Sequence, residues 1–336
     1  MLWRDGQCFE GIWVLKNACV AFVAVCLAFV LSTGAKSEDA RGLKLNQGTV
    51  GLLASDPGLA GNVLEIANAM DHTDGLRVLP ILGRGSLQSL NDLLFLRGVD
   101  VALLSSDSLA YVKKNNLYND ETDKLAYLAK LANSNVIVLA RKEIAGIENL
   151  AGKRIATGPA SSDEFVAAEL VLGAFGMSYE RVPATGKNSL EALADGRIDA
   201  AIFTGADSYQ LLSSIKTSSG LHILAVPLPE GLAETYSPAI LSHTDFPNLI
   251  ADGAFTETVA AALILAVFDW PDRTGRFYKL KKFNRALLST YLATRDDAQS
   301  TNYSAAVPGW KLYLTAKDLM GANKPSQNSL TAATLQ

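Results

Sequence analysis

From residue 43 onward, short apolar runs alternate with longer segments of helical spacing. Leu43 to Val50, Leu76 to Leu82 and Val99 to Leu104 read as buried strands, with helices over Asn62 to Met70 and Ser86 to Leu96 between them. The rhythm resumes with strands at Asn135 to Ala140, Arg154 to Thr157, Ile198 to Phe203 and Leu221 to Val226, and a helix over Phe165 to Phe175. This alternation predicts βαβ units and an α/β fold of mostly parallel sheets covered by helices. After Pro227 the strands stop, and Pro227, Pro229, Pro238 and Pro247 mark a connector. Phe255 to Phe268 is too apolar for a surface helix and too short to span a bilayer, so it is predicted to be a helix buried against a sheet. Farther on, Phe277, Leu280, Leu287, Leu288 and Tyr291 keep helical spacing among Arg276, Lys279, Lys281, Lys282 and Arg285. The basic side of that amphipathic helix is either a solvated face or a docking patch.

The chain echoes itself. Ser86-Leu87-Gln88-Ser89-Leu90 opens a helix that ends at Gly98, and Val99-Asp100-Val101-Ala102-Leu103-Leu104 runs into Ser105-Ser106-Asp107-Ser108. Ser189-Leu190-Glu191-Ala192-Leu193 opens a second helix ending at Gly196, and Ile198-Asp199-Ala200-Ala201-Ile202-Phe203 runs into Thr204-Gly205-Ala206-Asp207-Ser208. In each unit the glycine suits a left-handed helix end and the small polar turn suits the start of the next helix. Either any α/β chain repeats its own grammar, or two similar lobes each offer helix N-termini at the carboxyl ends of their strands, where open sheets bind ligands. The matched places of Asp100 and Asp199 favour a structural role over acid–base work.

The N-terminus reads as a targeting segment. Ala18 to Leu31 is fourteen residues without charge or proline, the length of a signal-peptide core and short of a membrane span of about twenty. Small residues at Thr33 and Ala35 place cleavage after Ala35, giving a signal peptide over 1–35. An uncleaved anchor facing the periplasm and a plain buried helix are the alternatives. Cys8, Cys19 and Cys26 all lie in that segment, so the mature chain would carry no thiol and suit an oxidising compartment. Apolar residues make up 49% and charged residues 19%, which excludes a disordered chain, and the net charge of −4 offers no footprint for nucleic acid.

Gly85-Ser86-Leu87-Gln88-Ser89-Leu90 with Val99 to Asp107 resembles the first lobe of TAXI-type solute receptors of TRAP transporters. Leu150-Ala151-Gly152-Lys153-Arg154-Ile155-Ala156-Thr157-Gly158-Pro159 followed by Ala160-Ser161-Ser162 resembles their second lobe, and that of type II periplasmic binding proteins more generally, and Pro308-Gly309-Trp310 is also similar. The resemblance implies a two-lobed fold with a ligand cleft between lobes: lobe 1 over 43–132, lobe 2 over 133–227, a return to lobe 1 with C-terminal helices over 228–325, and a flexible tail over 326–336. Hinges would lie near Leu131 to Asn135 and Val226 to Pro229. It implies an exported, monomeric receptor that captures a small organic anion, a carboxylate or an amino acid, for membrane transporter subunits. An ABC-importer binding protein, a periplasmic sensor module and, less favoured, an enzyme are the alternatives.

The ligand-binding residues so implied are Ser55, Gly58 and Asn62 after the first strand, and Arg84, Gly85 and Ser86 in the next turn. Ser105, Ser106 and Asp107 follow the third strand. Gly158, Pro159, Ala160, Ser161 and Ser162, then Thr204 and Gly205, stand opposite. Arg84 offers a planar fork to a carboxylate, or else pairs with a surface acid such as Asp56. Asp163 is either a helix-start residue favoured by the dipole or a partner for a ligand's cationic group. His72, His222 and His243 have no partner at ligand or triad spacing, and no HExxH, P-loop or Rossmann fingerprint occurs. No catalytic residue, metal or cofactor is predicted.

Overall fold

The computed structural model describes residues 48–216, 219–294 and 305–313. The expected signal segment with its three cysteines, the start of the first expected strand and the expected tail at 326–336 lie outside the described residues.

Two sheets organise the chain. In the first, β1 (Thr49–Ala54) is flanked in parallel by β2 (Arg77–Leu82) and β3 (Val101–Ser105). β1 and β3 are buried along almost their whole length, which is why their sequences are continuous apolar runs rather than alternating ones. β2 is an edge strand, mostly exposed, and tolerates Pro80 for that reason. Helix α1 (Ala60–Met70) buries Val63, Ile66, Ala67 and Met70, the single face its spacing dictates. Helices α2 (Ser86–Phe95) and α3 (Asp107–Lys114) follow β2 and β3.

The chain leaves this sheet along β4 (Leu125–Asn135) and, after Val136 alone, enters the second sheet as β5 (Ile137–Arg141). There β6 (Arg154–Ala156) lies parallel to β7 (Glu180–Val182) and β8 (Ala200–Phe203), and β5 pairs antiparallel with β8 and β9 (Leu221–Leu224). Helices α4 (Asp163–Ala167, extended by a wider turn to Leu172), α5 (Gly186–Ala194) and α6 (Gly205–Ser213) cover it. The chain returns to the first sheet as β10 (Ser237–Ser242) and β11 (Phe255–Phe268), and closes with α7 (Gly275–Ala286).

Three expectations need correction. Phe255 to Phe268 is not a helix but the fourteen-residue strand β11, paired antiparallel with β3, β4 and β10. A strand buried on both faces shows no period of two, and its unusual length imitates a buried helix; the β-branched Thr256, Thr258, Val259 and Val267 are the signal that favours strand. The strands therefore do not stop at Pro227, and Pro238 sits in the edge strand β10. The sheets are mixed rather than mostly parallel: pairing is parallel around β1 and β6, but β11 and β5 add antiparallel neighbours. β4 and the short β7 went unrecognised, β4 because its Leu- and Ala-rich run favours a helix intrinsically.

The two aspartates of the echo do the same structural job. Asp100 Oδ2 accepts from Gly51 N at 3.0 Å and Asp199 Oδ2 from Arg154 N at 2.9 Å, so each carboxylate before a strand holds the amide of the neighbouring parallel strand. Lys279 of α7 pairs with Asp100 at 2.6 Å, so one cation of the basic helix is drawn inward rather than solvated. Among the described residues, no helix is long and apolar enough to cross a membrane.

Candidate functional site

In both sheets the parallel strands end in turns that open helices, and the ends of β1, β2, β6, β7 and β8 face a cavity of about 960 Å³, within the size range of small-molecule sites. Asp56 to Leu59 and Asn62 after β1, and Gly83 to Gly85 after β2, form one wall. Pro159 and Ser162 to Glu164 after β6, Thr185 and Gly186 after β7, and Thr204 to Tyr209 after β8 form the other. Lys130 to Asn135, the end of β4, supply the floor together with Leu263 of β11.

At two points the walls touch. Gly85 has φ 115°, and a Cβ there would collide with the backbone of Ser161, whose hydroxyl donates to Arg84 O at 3.1 Å. A Cβ on Gly58 would collide with the carboxylates of both Asp56 and Asp207. Glycine is required at Gly85 by the close approach of the Ser161 backbone and by its backbone angle, whereas a side chain at Gly58 would have to push the two acid side chains apart.

The cavity is strongly charged. Arg84 and Lys130 are its cations, and neither is in an ion pair among the described residues. Burial holds the Lys130 ammonium below its usual pKa. Asp56, Asp163, Glu164 and Asp207 are its carboxylates. Asp56 Oδ1 accepts from Gly58 N at 2.7 Å, yet burial first, and then the charges of Glu164 and Asp207, push the carboxyl up. Asp163 is pushed well up, by burial first and then by Asp56 and Asp107, with the Ser86 hydroxyl acting the other way. Glu164 Oε1 accepts from Thr185 Oγ1 at 3.0 Å. Ser162 caps α4 by accepting from Phe165 N at 3.2 Å, Gly205 N donates to Ser134 Oγ at 3.1 Å, and Asn135 Nδ2 bonds the Tyr209 hydroxyl.

Of the residues singled out in the sequence, Gly58, Asn62, Arg84, Gly85, Pro159, Ser162, Thr204 and Gly205 line the cavity. Ser55, Ser86, Ser105, Ser106 and Asp107 stand buried behind its wall. There Ser86 Oγ accepts from Ser105 N, Ser106 Oγ accepts from Ala262 N, and Asp107 Oδ2 accepts from the Tyr236 hydroxyl at 2.7 Å. Trp310 of the Pro308-Gly309-Trp310 segment donates from Nε1 to Ser106 O at 2.8 Å. Gly158, Ala160 and Ser161 belong to the turn beside the cavity without lining it. Sequence reasoning missed Lys130, Asn133 and Asn135 because it missed β4, and it passed over Glu164 and Asp207. Asp207 had a signal: it occupies the second turn of the echo. Arg84 and Asp56, considered as a pair, form no ion pair with each other.

Among solved structures, a TctC solute binding protein from Polaromonas is 17% identical, with 82% of this chain and 88% of that one covered and a TM-score of 0.44. The periplasmic aliphatic sulphonate binding protein of Escherichia coli is 14% identical over 72% and 73%, with a TM-score of 0.39. A Xanthomonas citri protein bound to ATP is 12% identical over 82% and 95%, with a TM-score of 0.47. Likenesses this distant carry no argument about ligand or partner. The model of the NMT1-like family matches residues 32–244, well over half of the sequence, and the chain belongs to that family.

Proposed function

We propose that the protein is an exported solute-binding receptor, not an enzyme, that captures a small organic anion, a carboxylate or an amino acid, and presents it to a TRAP-type secondary transporter. The observation that carries this reading is the cavity between the strand ends of the two sheets, with Arg84 and Lys130 in it and in no ion pair among the described residues. Arg84 lies in the turn that opens the ten-residue α2, where first-turn amides and the helix dipole favour negative charge, and its fork adds bidentate pairing. Lys130, on the floor, is a partly desolvated cation whose charge a bound carboxylate would restore. The resemblance to TAXI-type receptors supports the transporter assignment. The lobes, divided near residues 133 and 227, would close about the crossing at Val136 and the return through Val226 once a solute bridges both walls.

Mass spectrometry of the small molecules released from natively purified protein tests this directly. Recovery of an unaltered organic acid or amino acid at near-stoichiometric amounts is the expected result; its conversion to product during incubation would overturn the receptor reading. Small-angle scattering should show a smaller radius of gyration when that solute is added back, and no change at saturation would contradict closure.

A further inference from the structure

We propose that the solute carries a cationic group as well as its carboxylate, an ammonium or amidinium seated against Asp56 and Asp207 while the anionic end meets Arg84 and Lys130. This inference rests on the receptor reading above and specifies its ligand class. Four carboxylates line the cavity against two cations, and they come from both walls: Asp56 from the turn after β1, Asp163 and Glu164 from α4, and Asp207 from α6. The Asp56 and Asp207 carboxylates converge on Gly58, the one residue between them that has no side chain to separate them.

Two independent features mark the carboxylate side as unfinished. Asp163 lines the cavity, and its Oδ1 is buried with no hydrogen-bond partner among the described residues. Among the described residues neither cavity cation is in an ion pair with an acid, although cations and acids lie in the same cavity. Bringing like charges together where burial limits their solvation is costly, and among the described residues hydrogen bonds to Asp56 and Glu164 but no cationic side chain offset it here. A bound cation would supply the missing countercharge to Asp56 and Asp207 and would hold the two walls together, whereas a simple anion would meet only repulsion from that side of the cavity. The burial-driven rise of Asp56, strengthened by Glu164 and Asp207, agrees with this arrangement.

The test is a thermal-shift screen at millimolar concentration with probes sorted by charge: straight-chain mono- and dicarboxylates, amino acids with neutral and with basic side chains, and alkyl diamines. The strongest stabilisers are expected among compounds bearing both a carboxylate and an amine. For the best of these, calorimetry on Asp207→Asn, a substitution at an exposed side chain, should show about tenfold or greater loss of affinity, the size of one charge-assisted contact. The deaminated analogue of the same probe should bind weakly, and equally to wild type and variant. Stabilisation by amine-free carboxylates alone, or an unchanged affinity in Asp207→Asn together with Asp56→Asn, would overturn the inference and leave the receptor reading standing. Absence of stabilisation by every class would overturn both.

Discussion

The helix starts after β3 and after β8 are built from matching sequence, hydrophobic-Asp strands followed by hydroxyl-rich turns, and the structure uses them in opposite ways. After β3 the turn is sealed. Asp107 is 2% exposed and bonded to Tyr236, and Ser106 is bonded on both its hydroxyl and its carbonyl by Ala262 and Trp310. After β8 the turn is open: Asp207 is exposed to the cavity, and Thr204, Gly205 and Tyr209 line the wall. In both turns a serine hydroxyl folds back on the carbonyl that opens the helix, Ser108 on Ser105 and Ser208 on Thr204, each at 2.6 Å. The same local grammar thus sets the same local bonds. What differs is the long-range cover, because β11, Tyr236 and Trp310 bury the first turn, whereas the contacts that Ser134 and Asn135 make with the second leave its Asp207 exposed.

If the sealed turn serves stability and the open one serves binding, substitutions should separate the two properties. The largest stability effect is expected from Tyr236→Phe, which removes the donor to a buried carboxylate and should cost about 1–3 kcal/mol in denaturant unfolding. Trp310→Phe should follow at about 1 kcal/mol or somewhat more, through the lost bond to Ser106 O and the space left by the smaller ring. Asp207→Ala should change stability by no more than about 0.5 kcal/mol while weakening solute binding. A large loss of stability in Asp207→Ala would erase the distinction.

The acids around the sealed turn also predict a pH dependence. Asp107 and Asp163 both have carboxyl pKa values raised by burial, so the folded state holds protons that the unfolded state releases. Their contribution is then lost as pH rises from about 4, the unfolded range, through the folded values. Asp199, held low by its backbone and side-chain bonds to Arg154, acts oppositely, so the readout is the difference between proteins. Asp163→Asn should lose less stability than wild type between pH 4 and pH 8; identical profiles would show that its burial has no energetic consequence.

How much of this was legible in the sequence follows from the range of the interactions. The βαβ rhythm, the faces of α1 and α2 and the twin roles of Asp100 and Asp199 are set within a few tens of residues, and the alternation and the echo expose them. β4 and β11 are made by pairing partners far away in the chain, and their Leu- and Ala-rich runs satisfy a helix equally well when read alone. The cavity inherits the same division. Its turn residues, Arg84 and Thr204 among them, could be named from strand-to-helix transitions. Lys130 could not, because only the pairing of β4 with β11 brings it to the floor. Asp56, Asp163, Glu164 and Asp207 are single acids at helix starts in the sequence, and only the approach of the two walls turns them into one cluster.

The central claim is that this cavity binds a charged organic solute through Arg84, and calorimetry with the solute recovered from native protein tests it most directly. Arg84 is exposed in this structure, and if closure over the solute desolvates its charge pair, Arg84→Ala should weaken binding by roughly 2 to 5 kcal/mol, while Arg84→Lys should recover only part because the fork is lost. An affinity for Arg84→Ala within about 0.5 kcal/mol of wild type would contradict the account.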